Sequence, residues 1–200
     1  MGPPHPWMVE VHGAILSSWV VLFAVQTSLA GAGRVDLHRK LGVVGLVLAS
    51  LVGLSGLGVV SESIARHFRP GDLRVGGPAV QALWFAGFAV TVLFGFLQRR
   101  NPWVHKRLML IATIMLLPAP LVRWPIGIAG NFGLAKECCY GMLVLLACYD
   151  LWSSRRIYAA TLWAGAGLIA ELQFAPLVLV HSRLWFRVAE QMQALGRHLQ

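Results

Sequence analysis

Two histidines occupy nearly identical positions in the sequence. His38 is followed by two basic residues and Leu41, and His105 is followed by two basic residues and Leu108. Each histidine therefore precedes an apolar run by about one helical turn, so we expect both at the same depth. Two such histidines on neighbouring helices could bind haem iron as an axial pair, or supply part of a divalent-metal site. The alternative, which we favour, is a polar anchor among lipid headgroups.

A second group of polar residues lies within or at the ends of the apolar runs, where charges are costly and usually pair or face a cavity. Counting along the helices places Arg123 about 22 Å and Glu171 about 18 Å from the inner membrane edge. We expect them to form an ion pair if their helices are neighbours, and otherwise Arg123 extends to the outer headgroups. These residues indicate one of two arrangements. The first is a pocket in the outer half of the bilayer that binds a ligand or a proton, and the second is a structural polar network. The candidate ligand-binding residues are Arg123, Glu171, His12, Gln26 and Glu62.

The chain that carries these residues is too apolar to be a soluble globular protein. Of its 200 residues 57% are hydrophobic and 12% are charged, with a mean hydropathy of +0.66. Backbone in contact with lipid satisfies its polar groups as a helix, so the composition predicts an all-α, polytopic membrane protein with one integral-membrane domain, residues 1–200. We predict six transmembrane helices at about 11–30, 41–60, 79–97, 108–124, 137–152 and 159–180, and an amphipathic surface helix at 182–195. Prolines at 118, 120 and 176 should bend the fourth and sixth spans.

The connections between the apolar runs repeat one pattern. Segments 33–41 and 99–108 both place a histidine, two basic residues and a leucine at the start of a returning helix, and segment 155–158 repeats this loosely with Tyr158 in place of histidine. The repeat predicts three helical hairpins with their basic turns on one side. Because no Lys or Arg precedes the first span and three follow it, we place both termini outside and the turns in the cytoplasm.

The charge distribution favours a membrane partner. The net charge of +9 arises from 17 Lys and Arg and 8 Asp and Glu. The basic residues cluster between apolar runs, so we expect contact with the bilayer and its anionic headgroups and no binding of nucleic acid. Cysteines 138, 139 and 148 form no Cys-x-x-Cys motif and are read as free thiols. Monomer and homo-oligomer both stay open.

Motifs of soluble enzymes are lacking, so the sequence neither assigns nor excludes an enzymatic activity. There is no P-loop, no Gly-x-Gly-x-x-Gly before a helix and no His-Glu-x-x-His. Segment 53–57, Gly-Leu-Ser-Gly-Leu, only half matches a nucleophile elbow and lies within a span. Gly45, Ala49 and Gly53 recur at four-residue spacing, which favours close helix packing instead.

Several segments spread over most of the chain form a recognisable set. They are residues 12–14, 26–27, 33–34, LHRKLG at 37–42, HKRLMLIAT at 105–113, Arg123 and residues 149–152. Together they resemble a family of uncharacterised bacterial multi-pass membrane proteins with LHRxLG-like and HKRLMLxAT-like segments. The resemblance implies this architecture and a bacterial inner (plasma) membrane, and it implies no reaction.

Two classes of function follow from the sequence. The first is a module that binds or transports a small molecule, lipid or proton through the outer polar pocket. The second is a redox protein linked to haem b or quinone that uses His38 and His105. No Cys-x-x-Cys-His segment for a c-type haem is present.

Overall fold

The computed structural model describes residues 7–67, 76–123, 130–179, 182 and 185–191, and it is helical with no strand among them. The all-α prediction is therefore confirmed. Residues 185–191 are helical and form part of the predicted surface helix, whereas 183–184 and 192–195 lie outside the described residues. The named helices are α1 Trp7–Gly31, α2 Val35–His67, α3 Gly76–Leu97, α4 Pro102–Met115, α5 Pro118–Arg123, α6 Phe132–Ser154, α7 Ala159–Gln173 and α8 Ala175–Leu179.

Five helical segments in the described part of the chain are long and apolar enough to cross a membrane. This supports the prediction of a membrane protein. The sixth predicted span, 159–180, is not among the five, and the structure divides its described part into α7 and α8. The five segments are Trp7–Gly31, Val35–Ile64, Gly77–Leu97, Pro102–Arg123 and Phe132–Ser154.

Two asparagines set the starts of helices that extend beyond the apolar windows. The side chain of Asn101 accepts hydrogen bonds from the first amides of α4, which begins with Pro102. Asn131 accepts from the amide of Leu134 and so begins α6 five residues before the predicted start at 137. Both are favoured N-cap residues, and proline is favoured directly after the cap. Helix starts here follow capping chemistry and not the edge of the apolar run.

The predicted proline bends at Pro118 and Pro176 coincide with breaks between helices. Between α4 and α5, the amides of Leu116 and Leu117 turn back to carbonyls three residues earlier, at 3.2 and 3.0 Å. Pro118 then begins α5, and Pro176 is the second residue of α8. Because proline has no amide proton and clashes with the preceding turn, neither span continues as one helix.

The described contacts group the chain into two compact units, Met1–Phe85 with Pro176–Gln200, and Ala86–Ala175. In the first unit α1 and α2 lie side by side, joined by a turn in which Gly33 has φ +72°. A Cβ on Gly45 would lie 3.7 Å from Leu22, whereas one on Gly53 would meet open space. The predicted packing face of small residues therefore includes Gly45 but not Gly53.

In the second unit α4, α6 and α7 contact one another. Their shared core includes Ile111, Cys139 and Leu168, each at most 1% exposed. The end of α3 packs on α4, where a Cβ on Gly95 would lie 3.0 Å from the sulfur of Met109. Cysteines 138, 139 and 148 are free thiols, as predicted.

Candidate functional site

The five residues predicted to line an outer pocket are divided between the two units. His12, Gln26 and Glu62 lie in the first unit, and Arg123 and Glu171 in the second. Within the first unit, Gln26 follows His12 by 14 residues of α1, a rise of about 21 Å. Gln26 therefore lies at the turn end of the α1–α2 pair, which corrects the expectation that it shares a pocket with His12.

His12 contacts α2 and the end of α3 that belongs to the same unit. Its Nδ1 lies 2.9 Å from the Ser55 hydroxyl, and its ring meets Phe85 edge to face at 5.4 Å between centroids. A serine beside a histidine is also the arrangement of an activated nucleophile. Ser55, however, lies within the continuous helix α2, whose interior amides are used by the helix and cannot stabilise an oxyanion. The contact joins α1 and α2 and supports the packing interpretation for Ser55.

Glu62 is half-buried on α2, seven residues after Ser55. That spacing is about two helical turns, so both residues lie on the same face of α2. Glu62 is therefore the one predicted pocket residue on the face that His12 contacts.

His38 and His105 make equivalent contacts in their separate units. The Nδ1 of His38 lies 3.3 Å from the carbonyl oxygen of Gln26, and the Nδ1 of His105 lies 2.7 Å from that of Gly95. Each ring therefore contacts the backbone of the preceding helix, ten to twelve residues earlier. We call this contact the histidine latch. The headgroup-anchor and ligand interpretations of these histidines both stay predictions. No group of three or more potential metal ligands occurs among the residues that the structure describes.

The expected ion pair between Arg123 and Glu171 is not formed. Arg123 is exposed at the end of α5, where its guanidinium donates to the carbonyl of Ala119 at 2.8 Å. The depth count assumed one continuous helix from residue 108, but the break before Pro118 makes α5 a separate six-residue helix. The arrangement agrees with the alternative interpretation, in which Arg123 points away from the core.

Glu171 is held in the second unit against the backbone of α3. Its side chain is half-buried, and its Oε2 is buried and accepts no hydrogen bond from any described residue. A Cβ on Gly87 would clash with this carboxyl group, at 2.6 Å from Cδ and 2.8 Å from Oε2. The carbonyl of Gly87 already accepts a hydrogen bond from Thr91 at 2.8 Å. The carboxyl group therefore fills the space left by a missing side chain and has no counter-charge among the residues that the structure describes.

Sequence reasoning missed the fully buried ion pair of Arg107 and Asp150, both 0% exposed. Arg107 Nε donates to both carboxylate oxygens at 2.9 and 3.0 Å, and its Nη2 donates to Oδ1 as well. Asp150 also accepts from the Thr161 hydroxyl at 2.7 Å and from the Tyr158 amide at 3.4 Å. The Arg107 Nη1 donates to the carbonyl of Trp103 at 2.6 Å. The network joins α4, α6 and α7.

One signal in the sequence could have revealed this pair. Asp150 is the only acidic residue in segments 99–107 and 149–158, so the second and third turns together offer a single carboxylate among six cations. Arg107 was instead assigned to the exposed basic turn.

Aromatic rings cover the buried ion pair. Trp103 stacks on Tyr158 with 5.7 Å between centroids and 6° between planes, and the Arg107 guanidinium lies 3.7 Å from the Tyr158 ring centroid. The hydrogen bond to Ser154 and the positive charges of Arg156 and Arg107 lower the pKa of the Tyr158 hydroxyl from its usual 10, although burial acts in the opposite direction. At the third turn Tyr158 stacks on Trp103, and its amide donates to Asp150. At each of the other two turns a histidine contacts the preceding helix instead.

No protein-family model, curated protein or solved structure matches this sequence. The resemblance to a bacterial membrane-protein family stays a prediction.

Proposed function

We propose that the protein is a proton-binding and proton-transporting module of a bacterial inner membrane, with Glu171 as the group that carries the proton. The proposed topology has six spans in three hairpins, with both termini outside. Contacts between α1 and α2, between α3 and α4, and between α6 and α7 support this arrangement. Labelling of single cysteines at Gly33 and Ser154 from the cytoplasm, and at Gly76 from outside, would test it. Labelling of Gly33 and Gly76 from the same side would contradict it.

The observation that carries the proposal is the buried, unpartnered oxygen of Glu171. Inside a membrane, a carboxylate without a counter-charge is costly, and such groups commonly mark proton or ion pathways. The sequence left small molecules, lipids and protons open as ligands. A proton fits best because the carboxyl group contacts the α3 backbone at Gly87 directly, which leaves no room there for a larger ligand. Hard metal cations need about six oxygen ligands, and Gly87 brings no side chain to supply one.

Proton flux into sealed vesicles would test this function. The purified protein is reconstituted with a pH-sensitive dye inside, and an imposed potential drives protons. We expect flux above that of protein-free vesicles, loss of that flux in Glu171→Gln, and no change in Glu137→Gln. Glu137 is the matched control because it is an exposed glutamate on α6 of the same unit.

A hydrophobic carbodiimide gives an independent readout, because it reacts with protonated carboxyl groups in apolar surroundings. Peptide mass spectrometry should find the modification on Glu171 and not on Asp150, whose carboxylate is ion-paired. Equal flux in the wild type and Glu171→Gln, or an unmodified Glu171, would contradict the proposal.

The histidine latch supports a second candidate, a redox protein linked to haem b or quinone. A histidine that donates from Nδ1 to a carbonyl presents Nε2 in the form that binds iron, and both His38 and His105 have Nδ1 beside a carbonyl. An absorption spectrum of the purified protein distinguishes the candidates. A Soret band that sharpens on reduction and is lost in His105→Gln would support the haem form, and a colourless protein would contradict it.

A further inference from the structure

The turn end of the second unit carries five exposed cationic side chains that form no ion pair within the described part of the chain. Segments 99–107 and 149–158, which supply them, contain one acidic residue, Asp150. The two segments meet in space through the stacking of Trp103 on Tyr158. The five cations are Arg99, Arg100, Lys106, Arg155 and Arg156.

Asp150 does not compensate these charges. Its carboxylate is fully buried and already accepts hydrogen bonds from Arg107, Thr161 and the amide of Tyr158. Because Arg107 neutralises Asp150, the five exposed cations at this end have no counter-charge in the part of the chain that the structure describes.

Aromatic rings, and not carboxylates, lie beside two of these cations, Lys106 and Arg156. The Nζ of Lys106 lies 4.7 Å from the ring centroid of Trp103 and 5.3 Å from that of Tyr149. The guanidinium of Arg156 lies 5.0 Å from the centroid of Tyr158. Contacts of this kind hold a cation in place while its charge is still available to an anion. We call Trp103, Lys106, Tyr149, Arg156 and Tyr158 the turn cluster.

We propose that the turn cluster binds the phosphate of an anionic phospholipid headgroup. Trp103 and Tyr149 are 49% and 44% exposed at the ends of membrane-spanning helices, which is where aromatic side chains meet the headgroup layer. An anionic headgroup supplies the missing counter-charge at the same depth. The inference goes beyond the proposed proton function and does not depend on Glu171.

Lipid binding to the intact, detergent-solubilised protein tests the proposal. Native mass spectrometry would measure the affinity for phosphatidylglycerol and for phosphatidylcholine. We expect phosphatidylglycerol to bind more tightly, and the variant with both Lys106→Gln and Arg156→Gln to bind it about 30-fold more weakly, or about fivefold for each charge. Lys106→Arg keeps the charge and should bind like the wild type.

The matched control is Lys136→Gln, which removes a lysine near the other end of α6. The Lys136 ammonium donates to Gln173 at 3.0 Å and has no place in the turn cluster. An equal loss in this control, or equal binding of phosphatidylcholine, would overturn the proposal. Displacement of the lipid by an equal concentration of soluble glycerol phosphate would indicate a free-phosphate site and would also overturn it. Glu171→Gln should leave lipid binding unchanged, which separates this result from the proton test.

Discussion

Removing the Asp150 carboxylate should destabilise the second unit by about 3–5 kcal/mol, the usual cost of leaving one partner of a buried ion pair uncompensated. Asp150→Ala would leave the Arg107 guanidinium in a fully buried position with no counter-charge. The Thr161 hydroxyl and the Tyr158 amide would lose an acceptor as well, and each buried donor left unsatisfied costs about 1–3 kcal/mol. These costs overlap, so we expect a loss at the upper end of the range and not their sum.

A double-mutant cycle isolates the contribution of the pair. The double variant, Arg107→Met with Asp150→Leu, removes both charges and keeps apolar volume, so it should be more stable than either single variant. Unfolding by sodium dodecyl sulfate in mixed micelles, followed by helical circular dichroism, gives the free energies. Arg123→Gln is the control because Arg123 is exposed, and its effect should stay within about 0.5 kcal/mol. A double variant as unstable as the sum of both single variants would show that the two charges do not interact, and would refute the reasoning.

Three further predictions follow from the described contacts. Gly87→Ala should displace the Glu171 carboxyl group and destabilise the protein in the same assay. Gly167→Ala should not, because a Cβ on Gly167 meets nothing within 4 Å. Equal destabilisation by the two variants would refute the contact between Gly87 and Glu171. His105→Gln should lower thermal stability by about 0.5–1.5 kcal/mol through loss of the histidine latch, and an unchanged melting temperature would count against it. The lowered pKa of Tyr158 means that its hydroxyl deprotonates at a lower pH than an ordinary tyrosine, so Tyr158→Phe should remove the earliest part of the tyrosinate absorbance in a pH titration. A titration that keeps this early part would contradict the assignment.

Composition and local sequence rules predicted those parts of the fold that depend on neighbouring residues. The apolar runs predicted six spans, and five segments of the described chain are long and apolar enough to cross a membrane. The bends expected from the prolines coincide with the breaks before α5 and within the sixth predicted span. The N-caps at Asn101 and Asn131 were available to the same kind of reasoning. Considering them would have given the correct starts of α4 and α6.

The candidate site was harder to predict because its contacts join residues far apart in the chain. Arg107 and Asp150 are 43 residues apart, and nothing local distinguishes this buried arginine from the exposed basic residues of the turns. The expected pairing of Arg123 with Glu171 relied on a depth count along helices that are in fact broken. Glu171 stands out in the sequence as a charge within an apolar run, but its contact with Gly87 depends on packing that spacing alone does not encode.

The two broken helices of the second unit have nearly equal lengths. α4 runs for 14 residues and α7 for 15 before the chain leaves helical geometry, a rise of about 21–23 Å in each case. Both begin at the end that the Arg107–Asp150 network fastens, so the interruptions fall at a common level, and Glu171 lies two residues before one of them. In this unit α4 and α7 are therefore fixed by the ion pair near their starts and interrupted at their ends. Amide hydrogen exchange should be slow beside the ion pair and fast at the interruptions. The Glu171 carboxyl group then lies where the backbone opens most easily.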